Sequence, residues 1–236
     1  MHLNLRSAVG ALTALTFGAA LLTVGGSAAA LDTSRTGPRD NRGFPRYYTD
    51  QAGRALQLCD DGTAFCGGVR RGELTPPHGE ALYWAALSPL RTRRGTLSVE
   101  FALEAAFEGR RPVVLSRLRV RGHVNRRGRY VLRHPYGTLR FRAITPREQR
   151  NVDVTVDRRC SRVRGGRCAP RMTRWLRSTE RQRGYLGTRR RTHVVGGAVR
   201  NNMLLFGPGG DLIGRSERFR VIGKVCRQPC RSRARR

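Results

Sequence analysis

Apolar residues alternate with basic residues in three segments, VLSRLRVRGHV, TLRFRAI and RFRVIGKV. A period of two places the apolar side chains on one face of a strand and the charged side chains on the other face. Such strands are typical of antiparallel sheets that have one face toward solvent. The pattern therefore predicts strands whose outer faces are covered by arginines.

Other apolar runs predict further strands. In the run ALYWAAL, Tyr83 and Trp84 are adjacent and cannot face the same side of a strand, so we expect burial on both faces or an element boundary. The run LSVEFAL alternates as a strand, whereas its continuation EAAF also fits a helical turn. Because βαβ alternation and 20–50-residue repeats are absent, the sequence predicts an all-β fold, an antiparallel β-sandwich or related barrel.

The N-terminus has the pattern of a secretory signal peptide. Arg6 is the only charged residue before Asp32, an apolar run follows it, and Ala28 and Ala30 form a small-residue cleavage site. A single membrane anchor is the alternative, but the run is at the lower limit of length for a span. We expect cleavage near Ala30 and a secreted protein of the extracellular space or cell envelope, without a transmembrane segment after cleavage.

The rest of the chain divides by composition into a leader, a body with one or two β subdomains, and a tail. An irregular excursion without strand periodicity interrupts the second half, and we expect Trp175 and Leu176 to dock it on the core. The predicted parts are a signal peptide (1–30), a flexible leader (31–46), β subdomain one (47–150), β subdomain two (151–230) with the excursion (157–190), and a basic tail (231–236).

The six cysteines form three pairs that are close in sequence. They are Cys59, Cys66, Cys160, Cys168, Cys226 and Cys230. An even count in a secreted chain indicates disulfides, and among the open connectivities we favour local pairing. A zinc site is disfavoured because no C-x-x-C is present and no histidine has a second histidine four residues away. We therefore predict no metal and no cofactor.

The formal net charge is +31, and all but one of the 47 basic residues are arginines. This arginine content also fits genomic composition bias, but the charge attracts polyanions whatever its origin. A solvated surface without a ligand is the alternative. We predict an anion-binding patch on two hairpin strands, on condition that those strands pair. Its residues are Arg117, Arg119, Arg121, Arg140 and Arg142.

Catalytic patterns are weak in this sequence. No G-x-S-x-G is present, and every cysteine has a candidate disulfide partner. Asp153 and Asp157 could share a strand face, and Glu100 and Glu104 could share a face of a helix, but so few carboxylates among so many arginines are expected to be ion-pair partners. We predict a non-catalytic protein that binds an anionic cell-wall polymer, polysaccharide or lipid surface, of unknown oligomeric state.

Two other functional classes stay open. A secreted enzyme acting on carbohydrate or peptidoglycan would require an acidic cleft. A nonspecific nucleic-acid binder is disfavoured by the predicted secretion and by the few aromatic residues among the basic positions, because single strands are usually bound by stacking.

The segment VLRHPYGTLRF is predicted to be a hairpin. Pro135 suits the second position of a four-residue type I turn and Gly137 suits the fourth. His134 then occupies the first position, with no acid or thiol nearby in sequence. We interpret His134 as a structural corner residue.

Four blocks of the chain carry a resemblance to a group of proteins. They are GFPRYYTDQAGRALQLC, GEALYWAA, LSRLRVRGHV followed by GRYVLRHPYG, and NNMLLFGPGGDLIGRSERFRVIGKV. In this order they resemble a group of uncharacterised secreted bacterial proteins of actinomycete type, with a strand-HPYG-strand hairpin. The resemblance implies a secreted, β-rich surface or binding module without known catalytic residues.

Overall fold

The computed structural model describes residues 36–93, 95–144, 151–160 and 174–226. In these ranges the protein is all-β, with only two short 3-10 turns, Ala64–Cys66 and Arg71–Glu73, as helical elements. The strands are β1 (Tyr47–Thr49), β2 (Ala55–Gln57), β3 (Glu80–Thr92), β4 (Gly95–Glu108), β5 (Arg111–Val124), β6 (Gly128–His134), β7 (Gly137–Ala143), β8 (Val152–Arg159), β9 (Arg177–Ser178), β10 (Thr192–Val195), β11 (Met203–Phe206), β12 (Leu212–Ser216), β13 (Arg218–Ile222) and β14 (Lys224–Val225).

Most strands belong to one large antiparallel sheet. Its order is β7-β6-β11-β12-β3-β4-β5-β8, and β8 comes close to β7, so the sheet is nearly closed into a barrel. The edge of β3 opposite β4 also pairs with β13, which continues to β10 and β9. A separate small sheet has the order β1-β2-β14. The predicted all-β fold is confirmed. Of the two predicted architectures, sandwich and barrel, the large sheet corresponds to the barrel.

The core fills the concave side of the large sheet. Alternate residues of β4 and β5, including Phe101 and Val120, are completely buried. Tyr83 and Trp84 are also completely buried, because the register between β3 and β4 shifts between Leu82 and Trp84 and both rings can then pack. Strand β4 is longer than the alternation in LSVEFAL predicted, because the EAAF segment continues the strand and does not form a helical turn.

The structure differs from the predicted organisation in two places. The described part of the leader, 36–46, forms a hairpin in which the Gly37 amide donates to the Tyr47 carbonyl at 2.8 Å, and Phe44 is completely buried. The two predicted subdomains also share one sheet, because β6 pairs with β11 and β3 pairs with β13. The polar composition of the leader predicted a flexible segment, but burial of the Phe44 ring stabilises a defined hairpin.

The excursion is only partly irregular. β8 continues to Arg159, and Trp175 and Leu176 are buried as predicted. The Trp84 indole donates to the Leu176 carbonyl at 3.1 Å, and the Leu176 amide donates to the Tyr136 hydroxyl at 3.2 Å. Residues 161–173 lie outside the described residues.

The Cys59–Cys66 disulfide is confirmed. Cys160 and Cys226 are disulfide-bonded as well, and their predicted partners, Cys168 and Cys230, lie outside the described residues. The predicted signal peptide and basic tail lie there too. No helix within the described ranges is long and apolar enough to cross a membrane.

Candidate functional site

The arginines of the predicted patch lie on strands that do not pair with each other. Arg117, Arg119 and Arg121 lie on β5, which pairs with β4 and β8. Arg140 and Arg142 lie on β7, which pairs with β6. The condition for a continuous patch across two neighbouring strands is therefore not met.

The three β5 arginines are held by carboxylates of the adjacent strands. Arg117 forms two bonds of 2.9 Å with Asp157, and Arg121 lies 3.0 Å from Asp153. Arg119 lies 3.8 Å from Glu100, which stands opposite it on β4. Cross-strand pairs of opposite charge stabilise a sheet. The guanidinium groups of these three arginines are therefore already occupied by carboxylates and are not available to an anionic ligand.

Arg117 also lies 2.9 Å from Glu104, a carboxyl group that is nearly completely buried. Burial raises the pKa of Glu104 to about 8, with a hydrogen bond to Glu80 as the second cause and attraction by Arg117 as an opposing one. The attraction of Arg117, whose guanidinium also binds Asp157, lowers the pKa of Glu104 by less than burial raises it. These four carboxyl groups, Glu100, Glu104, Asp153 and Asp157, contact arginines within the sheet. The sequence predicted such pairing for the few acids among many arginines.

A different set of arginines surrounds a groove of about 640 Å³ on the outer face of the large sheet. Its apolar and hydroxyl-bearing part comes from Leu87, Ser88 and Pro89 of β3 and Ser98 of β4. We call it the arginine groove. Its five basic residues are Arg189, Arg190, Arg191, Arg218 and Arg220.

Close backbone packing positions the loop that carries three of these arginines. At Gly187 an added Cβ would lie 1.9 Å from the Val221 carbonyl oxygen, so only glycine lets the loop approach β13 this closely. The Thr188 hydroxyl accepts from the Arg190 amide at 3.2 Å and donates to the Arg190 carbonyl at 2.9 Å. The loop therefore holds Arg189–Arg191 beside β13.

Each of the two β13 arginines donates one side-chain hydrogen bond to a neighbouring segment. Arg220 donates to the Ala64 carbonyl at 3.2 Å, and its Nε is buried without a hydrogen-bond partner among the described residues. Arg218 donates to His193 at 3.4 Å. The Ser88 hydroxyl donates to the Arg218 carbonyl at 2.8 Å, which fixes this strand against β3.

The arginines of the groove form no direct ion pair with a carboxylate in the described part of the chain. No described carboxylate lies within 4.0 Å of a nitrogen atom of its five arginines. Arg189 instead lies over the ring of Phe65 at 5.5 Å, and that ring stacks on Tyr185. Guanidinium groups without acid partners are the groups that bind anionic oxygens most readily.

The sequence contained a signal for this groove. Arg189–Arg191 form the longest uninterrupted run of arginines in the described ranges, and Arg218 and Arg220 alternate with apolar residues on a predicted strand. The periodicity placed Arg218 and Arg220 on an outer face, but it could not show which cross-strand neighbours bear carboxylates. That information required the strand order.

His134 lies at the corner of the β6–β7 hairpin, as predicted, and is buried. Its Nδ1 accepts from the Tyr136 amide at 3.2 Å, and its ring lies 5.3 Å from that of Phe101. Across the four described ranges, no group of three or more His, Cys, Asp and Glu residues could hold a metal ion.

Comparison with known proteins gives no relative: no protein-family model, curated protein or solved structure matches the chain.

Proposed function

We propose that the protein is a secreted, non-catalytic binding protein of the envelope or extracellular space that holds an anionic polymer in the arginine groove. The observation that carries the proposal is a cluster of five arginines without carboxylate partners among the described residues, next to β5 arginines that are all paired. Within the same sheet, the groove arginines lack carboxylate partners and the β5 arginines have them. This difference distinguishes the groove from arginines that only form surface ion pairs.

The groove suits a polymer better than a small ion. It is open, and its arginines come from β13 and from the loop beside β13, next to polar and apolar atoms of β3 and β4. Repeated sulfate, phosphate or carboxylate groups could each bind a guanidinium, while the exposed Ser98 hydroxyl binds a neutral oxygen. Among polyanions we propose an acidic polysaccharide or teichoic-type polymer, in keeping with the expected secretion.

The test compares two variants that lose the same charge. R189Q/R190Q/R191Q removes the loop side of the groove, whereas R129Q/R140Q/R142Q removes three exposed arginines from β6 and β7. Binding to heparin and to teichoic acid is measured at 0.15 M salt. We expect the groove variant to weaken Kd at least tenfold, about 1.4 kcal/mol, and the control variant less than threefold.

Equal weakening in both variants would contradict the proposal and leave only bulk charge as the cause of binding. Duplex DNA is titrated in parallel. Tighter binding to DNA, with the same preference for the groove, would favour the alternative of a nonspecific nucleic-acid binder, whose affinity falls steeply with salt.

A further inference from the structure

A second cavity, of about 440 Å³, lies where the 36–46 hairpin meets β5 and the end of β8. One wall is apolar and comes from Phe44, Pro45, Pro112, Val113 and Val114. This volume is within the range of small-molecule sites, which are mostly apolar and have few polar groups. We call it the hairpin cavity.

The apolar wall is fixed before any ligand enters. The Phe44 ring packs edge-on against Phe107 at 5.0 Å, and the Tyr83 hydroxyl donates to the Pro45 carbonyl. Gly43 has a positive φ of 90°, and an added Cβ would lie 2.8 Å from Pro112 Cγ, so glycine brings the hairpin close to β5. A preformed wall lowers the entropy cost of binding.

Arginines lie at the opening of the hairpin cavity. Arg159 is paired with Glu108 at 2.7 Å. Arg39 of the hairpin and Arg111 of β5 are exposed, and no described carboxylate lies within 4.0 Å of their nitrogen atoms. The hydroxyl of Tyr48 has no hydrogen-bond partner among the described residues, and burial raises its pKa, so it stays a neutral donor.

We propose that the hairpin cavity binds a small amphipathic anion, namely a carboxylate with an aliphatic chain. The carboxylate would be bound by Arg39 and Arg111, and the chain would pack against Pro112 and Val113, which are partly exposed. A polymer fits this site poorly, because its apolar wall offers no partner to hydroxyl-rich sugar or phosphate repeats. The proposal is independent of the arginine groove, which shares no residue with this cavity.

The experiment is a calorimetric titration of the purified protein with sodium decanoate. Acetate serves as the probe without a chain, and 1-octanol as the probe without a charge. We expect saturable binding of one decanoate, and at least tenfold weaker binding of acetate and of octanol. Backbone amide NMR shifts of the unmodified protein should change around Tyr48 and Val113.

Three variants locate the site. R39Q/R111Q removes the anchoring charges, and V113W fills the cavity while leaving the charge unchanged. R140Q/R142Q is the charge-matched control at a distance along the sheet. Decanoate should bind at least tenfold more weakly to the first two variants and within twofold of normal to the control.

The proposal is overturned if acetate binds as tightly as decanoate, if octanol does, or if the control loses as much affinity as R39Q/R111Q. It is also overturned if a folded V113W binds normally. If thermal unfolding shows that V113W does not fold, the NMR shifts decide, and changes confined to other strands reject the site.

Discussion

Glu104 has an environment that is unusual for a carboxyl group, because its side chain is almost completely buried. It lies on a strand face between Glu80 and Arg117, almost without contact with water. Burial and the hydrogen bond to the exposed Glu80 both favour the protonated form of Glu104. Glu104 therefore links the stability of the sheet to pH.

Replacing Glu104 with glutamine tests this link. The pKa of Glu104 in the folded protein is raised from 4.5 to about 8, so the folded chain holds the proton more tightly than the unfolded chain. The stabilisation is complete below about pH 4.5 and is lost as pH rises through about 8. We expect the free energy of unfolding, measured with urea, to fall by on the order of 2 kcal/mol between pH 5 and pH 9.

E104Q should flatten this pH dependence, because an amide does not titrate. E100Q is the matched control, since Glu100 lies on the same strand face but is partly exposed and pairs with Arg119. An unchanged pH profile in E104Q would show that another group titrates.

Among single residues, His134 and Tyr136 show which structural features the local sequence can predict and which it cannot. The turn composition predicted the hairpin, and the register pairs His134 with Gly137. The sequence did not predict that the ring of Tyr136 would be buried against Trp84 and Phe101, because these contacts join residues that are distant in sequence.

At the level of elements, the disulfide loop between Cys59 and Cys66 covers part of the outer sheet face. Both cysteines are completely buried with Ala85 and Ala102 in a second hydrophobic cluster. The loop also places Phe65 beneath Arg189. The disulfide therefore supports both the cover of the sheet and one end of the arginine groove.

Replacing both cysteines with serine should destabilise the protein. A short loop that is no longer closed regains conformational freedom in the unfolded chain, and we expect a loss of about 2–3 kcal/mol in urea denaturation. The affinity for heparin should fall with it, because Phe65 no longer has a fixed position. C59A/C66A controls for the buried serine hydroxyls. Wild-type stability in both variants would show that the loop holds its place without the bond.

For the whole molecule, the decisive feature is that strands from both halves of the chain alternate around one sheet. The described residues belong to one compact unit, in which β11, β12 and β13 pair with strands of the first half. Neither half can complete its pairing alone. The structure therefore argues for one cooperative folding unit.

We expect differential scanning calorimetry to show one unfolding transition, with equal calorimetric and van 't Hoff enthalpies. Two independent subdomains would instead give two transitions or a calorimetric enthalpy larger than the van 't Hoff value. The measurement is made at high salt, where repulsion among the arginines is screened.

The sequence alone determined the all-β class and the alternating strands, because period-two patterns and turn residues are local properties. It favoured the Cys59–Cys66 disulfide among several open connectivities, and the structure confirms that bond. Only the tertiary structure decided which arginines are available. Arg117 and Arg218 look alike in sequence, each alternating with apolar residues on a strand. Strand order places Asp157 beside the first and leaves the second among other arginines, since charge pairing depends on neighbours across the sheet.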